Sequence, residues 1–347
     1  MKILYGVQGT GNGHISRAAA MSRAFKKYPN VDITWLYSGR DTDDLFDIEK
    51  GYLWRRGMTF AIENGSVSLP KTFIKNNIFR VLYDVQQLDL SKYDTVVTDF
   101  EPTVSWAARL KGCQSIGIGH QYAFKYNVPT QGENKLNQFI FRNFAPASSS
   151  VGMHWHHFEA PIVPPIVDLD SEVVGLEQVK TIPNKILVYL PFEDQLKVVG
   201  LLREIDAYEF YVYGPDLTKV DRGAIHLRPL SRTEFKKDLI SSAGVICNSG
   251  FETISECLKM GIKVFTKPVA QQVEQLSNAA ALEQLGYARV GTLDRQEIVN
   301  WLERDGGVHV DYPPVHEHLA EWLLQENRLP VEDLAARLWS LVTVRNV

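Results

Sequence analysis

The sequence predicts an α/β protein made of two parallel-sheet, Rossmann-like domains in tandem. Three observations carry that reading. Short β-rich apolar runs alternate with helical patterns in both halves. At 347 residues the chain exceeds one ordinary domain and suits two of about 150 to 170 residues. A proline cluster, Ala160-Pro161-Ile162-Val163-Pro164-Pro165-Ile166-Val167, stands between the halves, stiff and unable to join a central strand.

In the first half the strands fall at 2–7, 32–37, 95–99, 115–119 and 151–156. The first helix spans 13–28, with Ile15, Ala18, Ala19, Ser22 and Phe25 at helical spacing. In the second half strands are expected at 185–190, 209–213, 225–228, 244–247 and 263–266. Helices are expected at 194–205, 232–241, 251–260, 272–285 and 295–303, and two more, at 315–325 and 331–342, follow the second sheet. The expected division is therefore a first domain at 1–165, a linker at 166–184, a second domain at 185–314 and C-terminal helices at 315–347. Ligands bind beyond the strand C-termini of open parallel sheets, so a cleft between the domains is the expected site.

Composition narrows the function. Acidic residues number 41 against 37 basic, a formal charge of −4, which gives no electrostatic case for nucleic acid. Cys113, Cys247 and Cys257 form no CxxC pair and read as reduced core thiols of a cytoplasmic protein. The N-terminal apolar run is too short for a signal peptide, and nothing approaches the roughly 20 residues of a membrane span. His154 and His156 share one face of a predicted strand without an acidic or thiol ligand nearby, so they read as structural and no metal site is expected.

Gly9-Thr10-Gly11-Asn12-Gly13-His14 follows a strand and opens a helix. Glycines permit a sharp turn and a close approach to a ligand, and the helix start favours an anion. A dinucleotide fingerprint needs glycine where His14 stands, and a P-loop needs Gly-Lys-Ser/Thr, so both fail in detail. His14, at the positive end of a helix dipole, tends to stay neutral and able to accept a proton. Asp99 and Glu101 end a strand at the same sheet edge, and either could orient His14 or act as the base; His120 is a further candidate.

In the second half, Asn248-Ser249-Gly250-Phe251-Glu252-Thr253-Ile254-Ser255-Glu256 runs from strand through loop into helix. The Ser249-Gly250 turn can offer N–H groups and a hydroxyl to a diphosphate. Glu252 and Glu256 lie four apart on one face, and the second adds repulsion unless it has a partner; a ribose would serve Glu256. Farther on, 267–279 is rich in the amides and carboxylates that suit sugar hydroxyls.

Together these stretches resemble the GT-B glycosyltransferases, above all the MurG-type (family 28-like) enzymes and the UDP-glycosyltransferases. Gly9 to His14 is similar to that family's GGTGGH loop, and Ser249 to Glu256 is similar to its SGALTVSE. Glu274-Gln275-Leu276-Ser277-Asn278-Ala279 is similar to its (D/E/Q)Q-x-x-NA, and weaker likeness runs from Val104-Ser105 to His120-Gln121. The resemblance implies two facing Rossmann-like domains with a C-terminal helix crossing back. It implies hexosyl transfer from a nucleotide diphosphate sugar, with UDP as the expected nucleotide, inverting and independent of metal or any other cofactor. It places Gly11 and Gly13 at the cleft, Ser249, Gly250 and Thr253 against the diphosphate, Glu256 on the ribose, Leu230 beside the base, and Glu274 and Gln275 on the sugar. Glu101-Pro102 stands where MurG-type enzymes carry a glycine pair facing their acceptor's diphosphate, which argues against the same acceptor.

The expected partners are a nucleotide-sugar and a glycan or lipid-linked acceptor, in cell-envelope or surface glycan synthesis. Basic-aromatic runs at 71–82, 122–126 and 139–142 suit contact with the inner face of an anionic membrane, or simply the solvated backs of helices. Two other classes fit the same motifs: a UDP-N-acetylglucosamine 2-epimerase, and a nucleotide-sugar binding protein without catalysis.

Overall fold

Strand β1 (Lys2–Gln8) is buried along all but its first residue, because helices cover both faces of the sheet it centres. The structure, a computed structural model, describes residues 1–45, 48, 50–59, 62–63, 66–67, 76–132, 138–139, 142–167, 169, 180–304 and 306–347. Helix α1 (Asn12–Phe25) leads from β1 to β2 (Asp32–Ser38), which pairs parallel to β1 from Lys2↔Asp32 to Gln8↔Ser38. β3 (Leu53–Arg55) lies beyond β2, and β4 (Ile62–Glu63) with β5 (Ser66–Val67) forms a small antiparallel ribbon. α2 (Ile78–Gln87) leads to β6 (Thr95–Asp99), and α3 (Pro102–Leu110) to β7 (Ile116–Gly119). A 3-10 segment, His120–Lys125, and β8 (Ser149–Gly152) complete the domain. The first sheet is wholly parallel, ordered β3-β2-β1-β6-β7-β8.

The second sheet repeats the plan with β9 (Ile182–Tyr189), β10 (Glu209–Gly214), β11 (Val220–Arg222), β12 (Ile225–Pro229), β13 (Ser242–Asn248), β14 (Lys263–Lys267) and β15 (Arg289–Val290). Its order is β11-β12-β10-β9-β13-β14-β15, parallel except where β11 meets β12. Helices α4 (Gln195–Leu202), α5 (Arg232–Ser241), α6 (Phe251–Met260), α7 (Val273–Leu285) and α8 (Arg295–Leu302) connect the strands. In each sheet the order reverses direction beside the first strand, between β1 and β6 and between β9 and β13. A crevice opens at such switch points.

The chain then crosses back. After β16 (Val308–Asp311), helix α9 (Val315–Leu324) packs on α1, with Lys27 paired to Glu317 at 2.7 Å. Arg328 donates to Thr95 Oγ1 at 3.1 Å. Helix α10 (Val331–Trp339) returns, its Trp339 indole donating to the Ile162 carbonyl at 2.6 Å, and β17 (Thr343–Asn346) pairs with β16.

Three expectations about the elements change. The strand placed at 151–156 ends at Gly152, so His154 is not on a strand; its ring is buried, packed edge-on against Trp155, Phe158 and Phe251. The proline stretch does not run free as a connection. Met153 bridges to Val163, and Ile162, Val163 and Ile166 join the core, since the apolar residues between the prolines outweigh the prolines' inability to donate. The helix expected at 331–342 stops at Trp339 and gives way to β17. Of the basic-aromatic run at 71–82, residues 71–75 lie outside the described residues. On α2 the following Phe79, Leu82 and Tyr83 face outward, opposite the buried Val81 and Val85.

Candidate active site

The end of β1 brings the Gly9–Gly13 loop to the first switch point, where β6 delivers Asp99 in register with Val7. Gly11 caps α1 at φ 85°, which an L side chain rarely adopts. At Gly13 the constraint is space: a Cβ there would meet Glu252 Cγ of the other domain at 2.5 Å. The two glycines thus let the start of α1 come against the start of α6.

His14 lies in the first turn of α1, its Nδ1 2.8 Å from Asp99 Oδ1. Arg17, one turn further along the same face, donates its Nε to Asp99 Oδ2 at 3.0 Å and its Nη2 to Oδ1 at 2.8 Å. Burial alone would raise the Asp99 carboxyl, but Arg17 and His14 outweigh it and hold it below the usual range. Asp99 Oδ1 and Arg17 Nη2 both lie 2.8 Å from Nδ1; the tautomer that donates to the ionised Asp99 carries its hydrogen on Nδ1 and its lone pair on Nε2. Gln121 Nε2 approaches that Nε2 at 3.5 Å and donates to Glu274 Oε2 at 3.2 Å.

The same Arg17 pairs with Glu252 across the domain boundary. Burial pushes the Glu252 carboxyl up to about 7, against the pull of Arg17. Glu256, one turn deeper, pairs with Lys236 of α5. The two carboxylates on one face therefore both have cationic partners within the protein. Neither Arg17 nor Lys236 was among the residues expected from sequence. The signal for both was the unexplained repulsion between Glu252 and Glu256.

Between the two switch points lies a cleft of about 600 Å³. Asn12, Gly13, Ser16 and Arg40 line it from the first domain; Tyr189, Leu230, Phe235, Lys236, Glu252, Thr253 and Glu256 line it from the second. Helices α1, α6 and α7, whose first turns sit at the domain boundary, have no side-chain cap, nor do α9 and α10, which follow prolines, whereas α2, α3, α4, α5 and α8 are each capped by a side chain. The start of α6 thus holds orphan N–H groups that an anion could satisfy.

Of the expected residues, Gly13, Leu230, Thr253 and Glu256 line this cleft; His14 follows Gly13 and pairs with the buried Asp99, Gly11 and Gly250 precede α1 and α6, and Glu274 is reached through Gln121. The structure places the other four expected residues differently. Glu101 is the N-cap of α3, buried, accepting from Thr103 N, Val104 N and Ser38 Oγ, and it turns from the cleft because the intervening Phe100 takes φ 53°. His120 is fully enclosed, its nitrogens facing Met153 O at 2.9 Å and Asn278 Oδ1 at 2.7 Å while its ring stacks on Phe251 at 3.9 Å; burial lowers its basicity. The Ser249 hydroxyl bonds to Thr266 Oγ1 inside the second domain. Gln275 Oε1 accepts from Val269 N and braces the loop below Glu274. Among the described residues no group of histidine, cysteine and carboxylate side chains could hold a metal ion, and no helix is long and apolar enough to cross a membrane.

This architecture has solved counterparts. The glycosyltransferase SnogD from Streptomyces nogalater matches over 98% of this chain and 99% of its own, with a TM-score of 0.56 and 15% identity. MurG of Acinetobacter baumannii matches over 98% and 99%, at 0.52 and 14%. UGT89C1 of Arabidopsis thaliana, complexed with UDP, matches over 97% and 99%, at 0.59 and 10%. The two facing sheets with a returning C-terminal helix are thus the GT-B fold. No curated protein matches the chain in sequence. The model of the glycosyl transferase family 1 does match, across residues 1–304, and the chain belongs to that family of glycosyltransferases.

Proposed function

We infer that this glycosyltransferase takes its sugar from a UDP-sugar lying in the 600 Å³ cleft and inverts the anomeric centre without a metal ion. The observation that carries this reading is the His14–Asp99 contact of 2.8 Å, set across the domain boundary from the uncapped start of α6. His14 Nε2 takes the proton of an acceptor hydroxyl as that oxygen forms its bond to the anomeric carbon. The bond from that carbon to the diphosphate oxygen breaks, and its electron pair leaves on UDP. The α6 amides, with Thr253 beside them, receive that charge, which is the role a metal ion would otherwise fill. Glu256, steadied by Lys236, keeps an oxygen for the ribose, and Leu230, Phe235 and Tyr189 wall the base. Metal independence, inversion and the base assignment are supported by these contacts and by the resemblance in the two loops. An acceptor presented at a membrane surface would meet the outward Phe79, Leu82 and Tyr83 of α2, in keeping with a role in envelope or surface glycans.

The test uses UDP calorimetry and UDP release from UDP-sugars over a panel of hydroxyl acceptors. His14→Ala should lower turnover by roughly 10²–10⁴ while UDP affinity stays within about twofold. Asp99→Asn should lower turnover by at least about tenfold through the wrong tautomer. Glu256→Ala should weaken UDP by about 1–3 kcal/mol. Full turnover in the His14 variant would refute the base, and an unchanged UDP affinity in the Glu256 variant would refute the ribose contact. Conversion of UDP-N-acetylglucosamine with no acceptor present would replace transfer by epimerisation.

A further inference from the structure

Beside the cleft, on the first domain's side, is a second cavity of about 190 Å³. The 3-10 segment after β7 supplies Gln121, Phe124 and Lys125, and Gln138 and Arg142 line it as well. Among the described residues the lining holds two cations and no carboxylate, in a protein whose formal charge is −4.

Neither cation is neutralised by a described residue. Among the described residues Lys125 Nζ meets the Ser150 hydroxyl, at 3.1 Å, and the Tyr122 ring, at 4.8 Å, and burial lowers its basicity with no carboxylate to oppose it. Arg142 pairs with no carboxylate among the described residues. Gln121 is buried, and while its Nε2 is used by Glu274 and His14, its Oε1 is enclosed without a hydrogen-bond partner. A buried amide oxygen left unpaired costs about 1–3 kcal/mol, and a ligand hydroxyl donated to it removes that cost. Gln121 therefore joins this cavity to the proton-accepting face of His14.

We propose that this cavity is the acceptor subsite and that the acceptor carries an oxyanion, a carboxylate or a phosphate, seated between Lys125 and Arg142. A hydroxyl of the same molecule donates to Gln121 Oε1, which brings its neighbouring hydroxyl to His14. This rests on the transferase reading above and names the class of its second substrate. A cavity of about 190 Å³ takes a discrete oxyanion rather than the broad face of a membrane.

Calorimetry on the full chain tests it, with UDP saturating so that the α6 start is not open to the probes. The probes are glucuronate, glucose 6-phosphate, inorganic phosphate and glucose. The oxyanions should bind saturably and at least about tenfold more tightly than glucose. The Lys125→Ala/Arg142→Ala pair should weaken them at least about tenfold, and Arg142→Lys, which keeps the charge, should weaken them less. Both side chains lie at the protein surface, and UDP affinity in the same preparations reports that the variants are folded. Glucose binding as tightly as glucuronate, oxyanion binding unchanged in the double variant, or association seen only with phosphatidylglycerol vesicles would each overturn the proposal. If wild-type protein binds the oxyanions at Lys125 and Arg142 but not UDP, the donor assignment fails and the anion cavity stands.

Discussion

Asp99 and Glu101 stand two residues apart at the end of one strand, and their surroundings pull them in opposite directions. Asp99 faces the Arg17 guanidinium and the His14 ring, whose interactions outweigh burial and hold it below the usual range; Glu101 meets only neutral donors, and burial raises it. Phe100, at φ 53°, is the pivot between them, a backbone state that costs an aromatic residue on the order of 1–3 kcal/mol. Glu101 therefore works for stability. Glu101→Ala strands Thr103 N, Val104 N and the Ser38 hydroxyl, and should cost about 2–4 kcal/mol in denaturant unfolding. Glu101→Gln, which retains one acceptor oxygen, should cost less and keep turnover. If Glu101→Gln abolished turnover at wild-type stability, the carboxylate would be chemical after all. Spacing revealed two carboxylates at a sheet edge, yet the direction each faces depends on one dihedral angle between them. Ser249 and Gln275 show the same limit: their residue types suit a diphosphate and a sugar, but Thr266 and the Val269 amide, brought close only by folding, engage them instead.

Helices were the most legible level, because glycine loops before them and apolar periodicity within them are local signals. The starts of α1 and α6 are where the sequence pointed, and the strand order places both at switch points. What the sequence left open was how α6 tolerates two glutamates on one face, since Arg17 and Lys236 come from other elements. Glu252 makes the start of α6 sensitive to pH. Its carboxyl, raised to about 7, is mostly ionised at pH 7.5, and a diphosphate arriving at the same helix turn disfavours that charge and raises it further. UDP binding should then take up protons, and affinity should fall as pH rises from about 6.5 to 8.5. Calorimetry in two buffers of different ionisation enthalpy measures the uptake. Glu252→Gln should remove both the uptake and the pH slope above about 6.5, where UDP itself has largely finished titrating. Wild-type binding with no proton uptake would mean that the diphosphate does not approach Glu252.

At the scale of the whole molecule, two domains and a cleft were readable from the order of elements, and a returning C-terminal helix from the resemblance. The seam between the domains was not, because its contacts join residues about 100 or more positions apart. Trp155 donates to Ser255 Oγ at 2.8 Å, His120 faces Asn278, Gln121 reaches Glu274, and Arg17 pairs with Glu252. Arg17 differs from the rest in being a buried cation that neutralises one carboxylate in each domain, Asp99 and Glu252. Removing only the cation leaves two uncompensated acids in the interior, which costs far more than the ion pair itself contributes. Arg17→Met should lower stability by roughly 3–5 kcal/mol, read as a fall in the unfolding midpoint at pH 7.5. Combining it with Asp99→Asn and Glu252→Gln removes the orphaned charges, and most of the lost stability should return although no ion pair remains. Turnover should not return with it, because an uncharged amide in place of the Asp99 carboxylate cannot set the His14 tautomer. An Arg17→Met protein within about 1 kcal/mol of wild type would show that water or a cleft-opening motion already solvates the two acids, and that Arg17 does not hold the domains at this seam.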